Sequence, residues 1–187
     1  MKILDLIEAD TSTIAQMSNL LVIGFSGHAW PDEATALQEV RDFFTPERIC
    51  RIAVDEEGMV LGWIGGILQY DGNAWELHPL IVHPDYQGQG IGRALVHDFE
   101  RIVYERGGVT IYLGTDDEDH STSLGMIDLY PDVFAHIAQI ENLQRHPYEF
   151  YLKLGFTIVG VIPDANGFGK PDILMAKRVS GHTGRGE

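Results

Sequence analysis

The stretch Gln87-Gly88-Gln89-Gly90-Ile91-Gly92 has the residue types and spacing of an anion-binding loop. It lies between an apolar run ending at Val82 and a helical pattern that starts near Arg93. Glycines let backbone approach a ligand closely, and amide N–H groups backed by the positive end of a helix suit a diphosphate. Two other phosphate loops fit less well. A dinucleotide fold wants glycines at the first, third and sixth places of its motif, whereas Gly88, Gly90 and Gly92 fall at the first, third and fifth. No Gly-Lys-Ser/Thr is present there for a nucleoside triphosphate.

Just upstream, Trp75-Glu76-Leu77-His78-Pro79-Leu80-Ile81-Val82 reads as a strand. Alternation puts Glu76 and His78 on one face, about 7 Å apart along the chain. Pro79 removes a ladder donor, so the strand is expected to bulge or splay there and leave backbone groups free. A lone strand histidine is more often structural than catalytic, and neither His78 nor His83 belongs to a metal-ligand pattern, so no metal is expected. Further along, Asp116-Asp117-Glu118-Asp119 is a four-acid run directly after a strand, either a ligand loop or simply a solvated turn. Trp30 and Tyr70 are candidate aromatic walls or plain packing residues.

Periodicity defines the elements that must hold these residues. Thr11 or Ser12 is expected to cap a first helix through about Phe25, with Ile14, Met17 and Leu21 along one face and with Gly24 and Gly27 loosening the chain at its end. Asp32 and Glu33 start a second helix carrying Leu37, Val40 and Phe44, which Pro46 ends. Ile49 to Val54 and Met59 to Tyr70 form a hairpin about the acidic turn Asp55 to Gly58, and Ala74 to Val82 returns as a third antiparallel strand. A helix from Arg93 to Arg106 and a strand from Thr110 to Thr115 complete a right-handed crossover that sets two strands parallel. Weak helical character runs from Ile127 to Ile140 across Pro131. Pro147 starts a helix through Leu154 that Gly155 stops, and Thr157 to Ile162 and Ile173 to Met175 close the sheet, joined by the loop Pro163 to Pro171. The expectation is one α/β domain over residues 1–179 with a flexible tail at 180–187.

Composition narrows the function. Hydrophobic residues make up 44% and charged residues 22%, enough for a full core. Thirteen Lys plus Arg against 28 Asp plus Glu give a formal net charge of -15, with a pI near 4.7. That field repels nucleic-acid phosphates and anionic lipid and concentrates cationic small molecules near an acidic cleft. Neither a nucleic acid nor a membrane is therefore expected as a partner. The single cysteine, Cys50, closes no internal disulfide and supplies no multi-cysteine zinc cluster. Met1-Lys2-Ile3-Leu4-Asp5 lacks the apolar core of a signal peptide, and no apolar run nears the roughly 18 residues of a membrane span, so a cytoplasmic protein is expected.

Gln87, Gly90 and Gly92 meet the pattern Gln/Arg-x-x-Gly-x-Gly/Ala that opens a helix after a strand, and in this the chain resembles the GNAT N-acetyltransferases over nearly its whole length. The resemblance implies the mixed-sheet GNAT fold: an antiparallel meander, a splayed parallel strand pair and flanking helices. It implies acetyl-CoA as cosubstrate, its diphosphate on Gln87, Gly88, Gln89, Gly90, Ile91 and Gly92. Its pantetheine arm would pair with Leu80, Ile81 and Val82, and the Leu80 N–H would polarise the thioester carbonyl. Tyr151, four residues before Gly155 in Tyr148-Glu149-Phe150-Tyr151-Leu152-Lys153-Leu154-Gly155-Phe156, matches the residue that commonly protonates the departing thiolate, although a core aromatic fits the same helix.

Longer blocks resemble the aminoglycoside 6'-N-acetyltransferases: Trp75 to Val82, Ile111 to His120, His146 to Tyr151, and Gly160 to Asp172. The acceptor so implied is a polycationic aminoglycoside. Glu76 would be general base or electrostatic positioner, with His78 nearby, and Asp119 would be an ammonium partner, beside Trp30, Tyr70 and Glu76. Family members include homodimers, and an exposed sheet edge suits pairing. Two competing readings are a GNAT enzyme acting on another polyamine or a peptide amine, and a non-catalytic acetyl-CoA-binding regulatory domain. The joint presence of Glu76 and Tyr151 favours catalysis.

Overall fold

Asp10, one residue ahead of the expected cap, starts the first helix. Its carboxylate accepts the Thr13 amide at 2.8 Å, and α1 runs Thr11–Gly24. Asp32 does the same for α2 (Glu33–Asp42) through the Thr35 amide. The computed structural model describes residues 1–25 and 29–179. Gly27 and the tail at 180–187 lie outside the described residues. Contacts divide the chain into two units, Met1–Val109 with Val179–Glu187, and Thr110–Arg178.

In the first unit, β2 (Arg48–Val54), β3 (Val60–Gln69) and β4 (Ala74–Val82) form the expected antiparallel meander. A strand that periodicity does not reveal, β1 (Lys2–Asp5), adds to it, pairing Leu4 with Ile52. Four residues are too short to show alternation, and only the waiting edge of β2 makes them a strand. Met17, Leu20 and Leu21 of α1 and Val40 of α2 pack with Phe43, Trp63 and Ile81 in a buried cluster. α3 (Ile91–Glu105) buries Leu95, Val96, Phe99 and Val103, the stripe its periodicity announces. It begins two residues before Arg93, because Gly90 can take the left-handed conformation that turns the chain into the helix.

The second unit is an antiparallel sheet of β5 (Thr110–Asp116), β6 (Thr157–Ile162) and β7 (Asp172–Arg178), with β7 between the other two. β7 extends beyond Ile173 to Met175 because all seven of its residues pair with β5. The helix expected from Ile127 to Ile140 shrinks to α4 (Val133–Ala138), entirely after Pro131, whose ring disfavours the helical conformation at the residue before it. α5 (Tyr148–Lys153) comes after Pro147 and stops at Gly155, where the Phe156 amide donates back to the Tyr151 carbonyl. The Lys177 ammonium also donates to the Leu154 carbonyl at 2.7 Å.

Candidate active site

Pro79 does to β4 what its chemistry requires. Ile64 of β3 pairs with Leu80 and Gly66 pairs with Leu77, so β4 spends one residue more than β3 across this stretch. That insertion is a bulge at His78-Pro79. The opposing residue is Gly65, and a Cβ there would sit 2.3 Å from the His78 carbonyl oxygen and 2.5 Å from the Phe43 ring. Only glycine lets the bulge come in. An extra residue also switches faces: Trp75 lies against the Gly108 backbone and Val103, on the α3 side, whereas Ile81 lies against Gly24 at the end of α1. Without the bulge both odd-numbered side chains would share a face.

Glu76 and His78 remain half-buried ahead of the switch. Gln69 Nε2 donates to Glu76 Oε2 at 3.4 Å. The His78 ring lies 5.8 Å from Trp30 between centroids, and its Nε2 is 3.9 Å from a Glu39 carboxylate oxygen. Arg48 stands 3.6 Å from that same oxygen. Glu39 carries no signal in the sequence, since a glutamate on an amphipathic helix belongs to no motif; only the packing of α2 beside the bulge brings it to the imidazole. Trp30 is 6% exposed and packs edge-on to Phe25, so it acts as a packed partner of His78 more than as an open wall. Tyr70 is 75% exposed, at a positive φ of 50°.

Beyond β4, the His83 Nδ1 accepts the Asp85 amide at 3.3 Å. Gln87 reaches back to the Val82 carbonyl at 3.3 Å. Gly88 and Gly90 have φ of 75° and 85°, and a Cβ at either would meet nothing within 4 Å. Gly90 offers α3 no side-chain cap, and the first intrahelical bond from its carbonyl goes to the Ala94 amide. The N–H groups of Ile91, Gly92 and Arg93 therefore lack intrahelical partners. Uncapped amides, open space over two glycines and a helix dipole fit a diphosphate such as that of coenzyme A.

In the second unit, Tyr151 is 8% exposed, against Phe150 and Phe156. Burial pushes its phenol well up from the ordinary value of 10.0, so it keeps its proton at neutral pH. The acid run separates into different environments. Asp116 and Asp119 are exposed, and Asp116 accepts from Asn166 Nδ2. Asp117 is completely buried, and its two oxygens accept from Ser121 and Thr122. Among the described residues no three His, Cys, Asp or Glu side chains group to hold a metal, and no helix is long and apolar enough to cross a membrane.

The bulged strand, the glycine loop and the uncapped helix together suit a ligand that carries a diphosphate, and comparison with known proteins shows the family in which this chain falls. The model of the acetyltransferase (GNAT) family matches residues 14–130. The chain belongs to that family. A solved aminoglycoside 6'-N-acetyltransferase complexed with coenzyme A is 45% identical, covering 98% of this chain and 99% of its own, with a TM-score of 0.89. The aminoglycoside 6'-N-acetyltransferase from Enterococcus faecium is also 45% identical over the same shares, with a TM-score of 0.87. This likeness shows the α/β GNAT fold. An acetyltransferase of Pectobacterium atrosepticum is 32% identical over 77 residues, 41% of this chain. The match spans about half the length of that curated relative, 52%.

Proposed function

We propose that the protein is an aminoglycoside 6'-N-acetyltransferase, moving the acetyl group of acetyl-CoA directly to an amine of a polycationic aminoglycoside. The observation that carries this reading is the 45% identity, over 98% of the chain, to enzymes of that name. The net charge of -15 supports a cationic acceptor. Residues 1–179 are read as one GNAT domain.

Bound acetyl-CoA supplies the activated acetyl group as a thioester. The amides from Gln87 to Gly92 bind its diphosphate, and the backbone of Leu80, Ile81 and Val82 pairs with its arm, the Leu80 N–H polarising the thioester carbonyl. Glu76 accepts a proton from the substrate ammonium, or holds that ammonium in place, with His78 beside it. Tyr151, kept protonated by burial, gives its proton to the departing sulfur. Asp119 pairs with a second ammonium group, Tyr70 adds exposed aromatic surface, and Trp30 backs the site through its packing on His78. Cytoplasmic placement and a homodimer complete the reading; β6, with one neighbour in its sheet and Val159 and Ile162 exposed, offers an edge for pairing.

Thiol release from acetyl-CoA tests this. Kanamycin should elicit release well above that seen with a simple polyamine or a peptide amine. Preference for either of those acceptors would replace the aminoglycoside with another amine, and binding of acetyl-CoA without release to any acceptor would favour a regulatory domain. Glu76→Gln with an unchanged rate across pH would reduce Glu76 from base to positioner.

A further inference from the structure

Asp117 is a fully buried carboxylate that the proposed chemistry does not use. Its Oδ1 accepts the Ser121 amide at 2.6 Å and the Ser121 hydroxyl at 3.0 Å. Its Oδ2 accepts the Thr122 amide at 3.0 Å and the Thr122 hydroxyl at 2.7 Å. A buried carboxylate is costly unless its oxygens are satisfied, and these four donors satisfy both. Their geometric effect is to close residues 117 to 122 into a ring with Asp119 at its exposed crest.

A second clamp holds the base of the ring. His146 is 3% exposed, with Nε2 at 3.0 Å from the Asp116 carbonyl oxygen and Nδ1 accepting the Tyr148 amide at 3.2 Å. A carbonyl only accepts and an amide N–H only donates, so the imidazole is neutral with its proton on Nε2. Asn142 grips the His146 backbone from both sides, at 2.7 and 2.9 Å. The Ser121 carbonyl accepts the amides of Leu143 and Gln144 at 2.8 and 3.1 Å. The titratable groups facing His146 are Asp116, Asp117 and the neighbouring Tyr148, whose ring lies 5.6 Å away.

We propose that Asp117 and His146 are positioning residues for substrate binding: they lock the loop from Asp116 to Thr122 so that the exposed Asp119 carboxylate is presented to an ammonium group of the acceptor. This rests on the aminoglycoside reading. Asp116, Glu118 and Asp119 repel one another, and a free loop would spread them; a shape stiff enough to bind a cation with little ordering cost has to be imposed from beneath. An apolar filling would do for stability alone. A ring of charge-assisted hydrogen bonds also sets direction.

Two variants of one residue separate position from bulk. The Gln side chain in His146→Gln can put an N–H where Nε2 stood and keep the Asp116 link, whereas the shorter side chain of His146→Asn cannot. His146→Asn should raise the KM for kanamycin about tenfold, the worth of roughly one hydrogen bond, with kcat and the KM for acetyl-CoA within about twofold. His146→Gln should return the kanamycin KM to within about threefold of the parent. Should His146→Asn not fold, Thr122→Val against Thr122→Ser carries the same contrast, the first raising the kanamycin KM and the second not. Folded His146→Asn with an unchanged kanamycin KM, or with both KM values rising together, overturns the proposal while leaving the aminoglycoside reading intact. A parent protein that does not acetylate kanamycin removes that reading and this proposal with it, before any variant is made.

Discussion

The bulged strand with its glycine loop and the acidic loop after β5 hold functional groups by opposite means. From His78 to Gly92 the shape is made by the backbone: a bulge enters over Gly65, two glycines take positive φ, and an uncapped helix points its amides outward. From Asp116 to Thr122 the shape is made by side chains, a buried carboxylate with four donors and an imidazole clamped between a carbonyl and an amide. Backbone-made sites tolerate changes in exposed side chains and are broken by an added Cβ. Side-chain-made loops have the reverse sensitivity, and they also depend on pH.

Adding a methyl group at the bulge should have the largest effect. Gly65→Ala puts a Cβ 2.3 Å from the His78 carbonyl, which cannot retreat without undoing the bulge, and should cost about 3 kcal/mol in urea unfolding. Near-parental stability would show that the bulge is not set by that close approach. Gly90→Ala comes next: it meets open space yet must keep a φ of 85°, so a loss of about 1–2 kcal/mol is expected together with weaker acetyl-CoA binding by calorimetry.

The third test uses protons. Burial holds the folded His146 below the ordinary value of 6.5, opposed by the Asp116 carbonyl and by the charges of Asp117 and Asp116. The unfolded chain therefore binds a proton that the folded one resists, and stability should fall as pH drops below about 6.5, levelling once the folded imidazole titrates. Asp117 is also lowered: burial raises it, but the hydrogen bonds from Thr122 and Ser121 outweigh burial, so its contribution is present above 3.8 and lost in more acid solution. Melting temperatures from pH 8 to 5 should decline less in His146→Gln than in the parent; equal declines would remove His146 from the account. The smallest expected change in stability is that of Asp119→Asn, within about 0.5 kcal/mol, since the carboxylate is exposed. Its kanamycin KM should nonetheless rise, and an unchanged value would take Asp119 out of the binding role.

The same contrast explains which features are legible in the chain. Gly88, Gly90 and Pro79 announce backbone geometry by their own covalent structure, and the stripe of Leu95, Val96, Phe99 and Val103 announces a helix face by its period. Nothing local distinguishes Asp117 from Asp119. Both are aspartates in one acidic run, and which is buried depends on Ser121, Thr122 and the segment around His146, more than twenty residues away. β1 and Glu39 are silent in the sequence for the same reason, a short segment and a surface-like glutamate whose partners are distant along the chain.

Residue chemistry and spacing by themselves determined the order of the elements after β1, the bulge at Pro79, the glycine loop at the start of α3 and a charge suited to cationic ligands. Tertiary structure decided which of four adjacent acids is buried, which carboxylate meets His78, and that the face of β4 switches between His78 and Ile81. Covalent constraints and periodicity act over a few bonds and are written in each residue. Burial and pairing are properties of the assembled neighbourhood, which no single stretch of chain contains.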